Sequence, residues 1–452
     1  MNLKDIDRLI ELDRLYLWHP FTQMKEWMET EPVIIVEGRD CFIKDIKGRW
    51  YLDGVSSLWV NIHGHARKEI NDAIKAQLDL ISHSTLLGMA NVPSILLAER
   101  LVGLVPLGLK KVFYSDDGST AVEVALKMAF QYWVHKGEKG RVAFVCLNNG
   151  YHGDTLGAVS VGGIDIFHST FKPLLFKTYR APSPYCYRCE LGRSYPGCRI
   201  ECLGSLEEIF SKHHEEIVAL IIEPLVQAAG GMITQPPGYL KGVSELCTKY
   251  NILMIADEVA TGFGRTGRFF AVEHEEVRPD IICLSKGITG GYLPLGVTIA
   301  TEEIFNAFLG RFEDLKTFFH GHSYTGNQLA CAAALASLDI FEKDRVLENL
   351  RPKIKFLHER LERLRELDHV GDVRQCGFIA GIELVKDKKT KESFGYIDRT
   401  GWKVAYEARQ RGVFIRPLGN IIVIMPPLSI SMENLERFLD IIEESIIRAV
   451  EQ

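Results

Sequence analysis

The sequence predicts an α/β protein built on a doubly wound, mostly parallel sheet, with a smaller α+β unit attached. Three observations point there. Four short apolar runs, VAFVCL (142–147), VALIIEP (218–224), ILMIADEV (252–259) and IICLSKG (281–287), each end in polar residues or glycine. Helical patterns separate these runs. After about residue 331 the alternation gives way to charged helices, short strands (GFIAGIELV, VFIRPLG, IIVIMPP) and a final amphipathic helix.

The four runs show no in–out alternation, so they read as strands buried on both faces of a parallel sheet. The segment after Gly118 reads as a helix, with Val122, Ala125, Met128, Ala129, Tyr132 and Trp133 on one face. Glu123 and Lys127, four residues apart on the other face, can pair. The βαβ core spans 66–330 and the C-terminal unit 331–452. The first 65 residues hold strand-like pieces (PVIIVEGRDCFIKDIKGRWYLDG) that are expected to pack with the C-terminal unit. The sequence contains no internal repeat.

Composition narrows the function. A chain of 452 residues with 46% hydrophobic and 25% charged residues is ordinary globular material. With 53 basic against 59 acidic residues there is no basic field to hold nucleic acid. Charges interrupt every apolar stretch of the N-terminus, and no run reaches the roughly 20 residues of a membrane span. A cytoplasmic protein with its ten cysteines as thiols is the expectation. Cys186, Cys189, Cys198 and Cys202 fall in YCYRCELGRSYPGCRIEC, a spacing open to either free thiols or zinc.

Four polar features fall where open α/β sheets bind ligands, at the carboxyl ends of strands. Ser115 to Thr120 open the long helix, so Gly118 and Ser119 offer either a helix cap or an anion site. Tyr151 stands between Gly150 and Gly153, where it is either turn packing or a face for a flat ring. Asp257 ends ILMIAD and could pair with a protonated pyridine nitrogen or cap the next segment. Lys286 follows the apolar run IICLS, where burial would lower its pKa and make its amine a nucleophile. No phosphate-loop or nucleophile-elbow motif competes.

Together these features resemble the class III aminotransferases of the fold type I pyridoxal-phosphate superfamily. The resemblance covers nearly the whole chain, and its strongest marks are the run Asp257 to Gly267 and Ser285-Lys286-Gly287. A closer likeness is to the branch serving biotin biosynthesis, which aminates 8-amino-7-oxononanoate to 7,8-diaminononanoate. It rests on His19-Pro20-Phe21-Thr22, the run Asn149 to Thr155, Ala260, Arg416-Pro417-Leu418-Gly419 and Met425-Pro426-Pro427.

The resemblance implies pyridoxal phosphate as cofactor, a keto acid acceptor, an amino donor and a homodimer. It assigns Gly118 and Ser119 to the phosphate, Tyr151 to the ring and substrate, Asp257 to the pyridine nitrogen and Lys286 to the covalent link. Gly321, His322 and Ser323 match the stretch that reaches the partner's phosphate and substrate. Arg416 matches the residue that meets the substrate carboxylate, and Trp59 faces the substrate.

Three positions depart from the branch. Leu58-Trp59 stands where two tryptophans are usual, Phe21 where a tyrosine is common, and His322-Ser323 where Pro-Thr is common. Losing one aromatic face leaves both S-adenosylmethionine and lysine open as donors. An ω-amino acid or diamine aminotransferase is the alternative reading. A non-catalytic regulator would need a basic DNA-binding appendage, and a nicotinamide dehydrogenase a G-x-G-x-x-G turn after the first strand; the sequence has neither at those places.

Overall fold

The computed structural model describes residues 6–450. Seven strands form the central sheet, in the order Leu109–Ser115, Gly296–Thr301, Ile281–Leu284, Leu253–Asp257, Ile217–Ile222, Ala143–Leu147, Thr178–Ala181. Gly296–Thr301 runs antiparallel to both of its neighbours, and the remaining pairings are parallel. The sheet is therefore the mostly parallel α/β core that the apolar runs predict. Three of its strands, Leu109–Ser115, Thr178–Ala181 and Gly296–Thr301, were not among the expected runs.

Helices cover both faces. The helix Gly118–His135 presses Ala121, Val122, Ala125, Ala129 and Trp133 onto Val218, Ile221, Ile255, Ile281 and Cys283. Each fully buried valine or isoleucine among them contributes about 1.5–3 kcal/mol. Glu123 does not pair with Lys127. It accepts the Gly157 and Ala158 N–H groups at 2.7 and 3.1 Å, while Lys127 Nζ lies 3.0 Å from His320 Nδ1. Two free backbone donors on a neighbouring turn are better partners for a carboxylate than a mobile exposed ammonium.

The N-terminal strands Ile35–Arg39, Phe42–Asp45 and Trp50–Asp53 form a separate antiparallel sheet, which Val413–Phe414 extends in parallel beside Trp50–Asp53. A third sheet joins Val370–Cys376, Ile379–Asp387, Glu392–Ser393 and Ile421–Ile424. The helices Val346–Leu364 and Met432–Val450 lie against this part of the chain. Among the described residues no helix is long and apolar enough to cross a membrane.

Candidate active site

Parallel strands place their carboxyl ends along one edge, so residues far apart in sequence meet there. Asp257 is the last residue of its strand, Lys286 follows the parallel neighbour by two residues, and Glu223 follows the strand on the other side by one. These three line a cavity of about 460 Å³ together with Trp59, Gly118, Ser119 and Tyr151.

Lys286 opens a single 3-10 turn with φ of 43°, a left-handed backbone that costs a lysine about 1–2 kcal/mol. Its Nζ lies 5.3 Å from the centroid of the Trp59 ring. Burial drives its pKa down, while the charges of Asp257 and Glu223 partly oppose that. No carboxylate among the described residues comes within ion-pair distance of the amine.

Trp59 is delivered by a second strained element. Ser56, Ser57, Leu58 and Trp59 all have positive φ, between 48° and 71°. The turn is held by polar anchors: Ser57 N–H and Oγ–H donate to Asp53 at 2.8 and 2.7 Å, and Ser56 Oγ–H donates to the Met425 carbonyl at 2.7 Å. Backbone strain of this kind persists only where the surroundings over-determine it. Trp59 is buried at the cavity wall, while Leu58 points out, 53% exposed.

Asp257 is oriented on both oxygens. Oδ2 lies 2.7 Å from His152 Nδ1, and Oδ1 accepts the Val259 N–H at 3.1 Å. Glu223 accepts the Tyr151 and Ala228 N–H groups at 3.0 and 2.9 Å. Burial, helped by the nearby charge of Asp257, pushes its pKa up to about 7. Tyr151 donates its hydroxyl to Asp154 Oδ2 at 2.9 Å, and burial raises its pKa.

The anion cradle follows from the helix start. Asp117 caps the 18-residue helix in a reciprocal box with Thr120, leaving the first N–H groups and the positive dipole end at Gly118 and Ser119. A Cβ on Gly118 would sit 2.7 Å from Val259 Cγ1, so only glycine lets these elements close up. Gly153, at φ of 121°, brings its loop onto Ser119, whose Oγ accepts the Asp154 N–H at 2.7 Å.

Pyridoxal phosphate fits these groups. A buried amine without an ion partner, a carboxylate fixed by two donors and a helix N-terminus face one cavity. Of the residues singled out from sequence, Trp59, Gly118, Ser119, Tyr151, Asp257 and Lys286 meet there. Gly321, His322 and Ser323 do not line it: His322 Nδ1 lies 2.7 Å from Asp116 Oδ2, and the Ser323 carbonyl is 2.7 Å from His83 Nε2. Arg416 also lies outside the lining, its guanidinium over the Trp402 ring and donating to the Phe21 carbonyl at 3.2 Å.

Glu223 and His152 were missed as site residues. Glu223 had the same signal as Asp257, an acid ending a buried run (VALIIEP). The four closely spaced cysteines line a small void of about 20 Å³ as free thiols. Among the described residues no three His, Cys, Asp or Glu side chains are arranged to hold a metal ion.

Comparison with known proteins gives a consistent result. Residues 23–446 match the family model for class-III aminotransferases. The adenosylmethionine-8-amino-7-oxononanoate aminotransferase of Geobacter sulfurreducens is 59% identical, over 98% of each chain. The crystal structure of the enzyme of that name from Methanocaldococcus jannaschii superposes with a TM-score of 0.94 at 51% identity, covering 98% of this chain and 99% of the other. An amine transaminase from an uncultivated Pseudomonas species, solved in a PLP-bound form, superposes with a TM-score of 0.90 at 38% identity, covering 96% and 98%.

Proposed function

Because the chain belongs to the class III aminotransferase family, whose members use pyridoxal phosphate, we propose that it aminates 8-amino-7-oxononanoate to 7,8-diaminononanoate in biotin biosynthesis. The observation that carries this reading is the likeness to the Geobacter enzyme of that name along 98% of both chains. The cavity supports it with a buried amine, a fixed carboxylate and an anion cradle at one strand edge.

When bound, the cofactor supplies an electron sink for moving an amino group between two carbon skeletons. The chain's own groups do the rest. The helix N-terminus at Gly118 and Ser119 would hold the phosphate. Asp257, oriented by the Val259 N–H and His152, would keep a proton on the ring nitrogen. Lys286 Nζ would carry the cofactor and move the proton between the two carbons; burial lowers its pKa, which favours the neutral amine this needs. Trp59 and Tyr151 would wall off water, and Arg416 would take the distal carboxylate.

The donor is S-adenosylmethionine or lysine. Gly321, His322 and Ser323 would serve the site of a second copy, which makes a homodimer the working unit in the cytoplasm. The likeness to the Pseudomonas amine transaminase supports the alternative of an ω-amine aminotransferase. Single-turnover spectroscopy separates the two: each amine is added alone to the loaded enzyme and its visible band is followed. Bleaching by S-adenosylmethionine or lysine, with the band restored by 8-amino-7-oxononanoate, is expected. Bleaching only by glutamate or a short diamine would overturn the biotin reading.

A further inference from the structure

Aromatic contacts continue outward from Tyr151, beyond the residues that line the cavity. The Phe167 ring lies edge-on to Tyr151 at 6.4 Å between centroids, and Phe21 lies edge-on to Phe167 at 5.2 Å. The Phe21 carbonyl in turn accepts a hydrogen bond from Arg416 Nη2 at 3.2 Å. A continuous aromatic rail thus links the cavity wall to the guanidinium that sits outside its lining.

Phe167 is held in this place by the backbone of the Tyr151 loop. It stands on the one-turn helix Asp165–His168, one residue after Gly162 and Gly163. Gly163 N–H donates to the Gly150 carbonyl at 2.7 Å, and Asn149 N–H donates to the Gly163 carbonyl at 3.1 Å. A Cβ on Gly163 would lie 2.4 Å from the Leu147 carbonyl oxygen, so the segment is clamped against the strand end. The ring cannot drift independently of Tyr151. It is half-buried, leaving apolar surface available at the open end of the rail.

We propose that Phe167 is a specificity-determining residue that reads the methylene chain between the reacting carbonyl and the distal carboxylate of the acceptor. This rests on the proposed substrate class. An acceptor with its carbonyl near Lys286 and its carboxylate at Arg416 would lay its apolar chain along the rail. Each methylene buried there adds about fourfold to kcat/KM, from about 0.8 kcal/mol per methylene.

The test uses the holoenzyme and 8-amino-7-oxononanoate beside homologues shortened by one, two and three methylenes. Wild type is expected to lose about fourfold in kcat/KM per methylene removed. Phe167→Ala is expected to flatten that dependence to less than twofold per methylene, leaving the shortest homologue within twofold of wild type. Phe167→Leu, which keeps apolar bulk, is expected to fall between; it carries the same test should the alanine variant fail to fold. Equilibrium binding of pentanoate to nonanoate, which needs no turnover, should show the same flattening. An unchanged chain-length dependence in both variants, or an equal loss on every homologue, would overturn the role of Phe167 while leaving the substrate reading intact. Wild type that turns over no member of the series would overturn both.

Discussion

Replacing Glu223 by glutamine removes an ionisable group from the cavity floor while keeping its shape, and its cost in stability should shrink as the pH rises. Glu223 is 5% exposed and its pKa is pushed up from 4.5 to about 7 by burial. Below pH 4.5 its carboxyl is protonated in the folded and unfolded chains alike. As the pH rises the unfolded chain ionises first, so stability is lost between 4.5 and 7 and then levels off. At about 1.4 kcal/mol per tenfold, the loss approaches roughly 3 kcal/mol by pH 8. Glutamine does not ionise and escapes it. But glutamine has one acceptor for two N–H groups, those of Tyr151 and Ala228, and the amide left facing a donor costs about 1–3 kcal/mol at every pH. Glu258, also pushed up to about 7, is present in both proteins and cancels. Urea denaturation of the cofactor-free protein should therefore find Glu223→Gln less stable at pH 5, with the gap closing by about 2–3 kcal/mol at pH 8. A gap of the same size at pH 5 and pH 8 would refute the reasoning.

Lys286→Ala should abolish turnover and the borohydride-fixable link to the cofactor, yet leave the cofactor-free protein as stable as wild type in a thermal melt, because a buried amine without an ion partner is removed. Retention of that link would remove Lys286 from its proposed role. Asp257→Asn should slow the half-reaction by at least tenfold, since a charge-assisted contact of about 1.5–3 kcal/mol or more is lost; stopped-flow absorbance measures it, and a rate within threefold of wild type contradicts the assignment. Gly153→Ala places a Cβ 1.8 Å from Ser119 Oγ at φ of 121°, which must displace the cradle. Strain of about 1–3 kcal/mol should weaken cofactor retention on the order of tenfold or more, read by dialysis and absorbance. Unchanged retention would detach Ser119 from phosphate binding.

What the sequence determined by itself was local and periodic. Runs such as ILMIAD and IICLS are apolar at every position because a parallel sheet buries both faces, and that leaves the first polar residue at the ligand edge. Asp257 and Lys286 were legible for this reason, and Glu223 should have been. The glycines at 118 and 153 were legible as turn punctuation, although what they let close up was not. Tertiary structure alone decided the rest. Strand direction leaves no mark on an apolar run, so the antiparallel Gly296–Thr301 was invisible. His152 and Asp257 are 105 residues apart, and only the pairing of their strands into one sheet brings them within 2.7 Å. The four left-handed residues that deliver Trp59 contradict every local preference, because the strain is held by Asp53 and by the Met425 carbonyl from the other end of the chain. Arg416 illustrates the limit most sharply: the family resemblance suggested a carboxylate partner, but its position beyond the Phe167 rail depends on a contact 395 residues away in the chain, which no local pattern encodes.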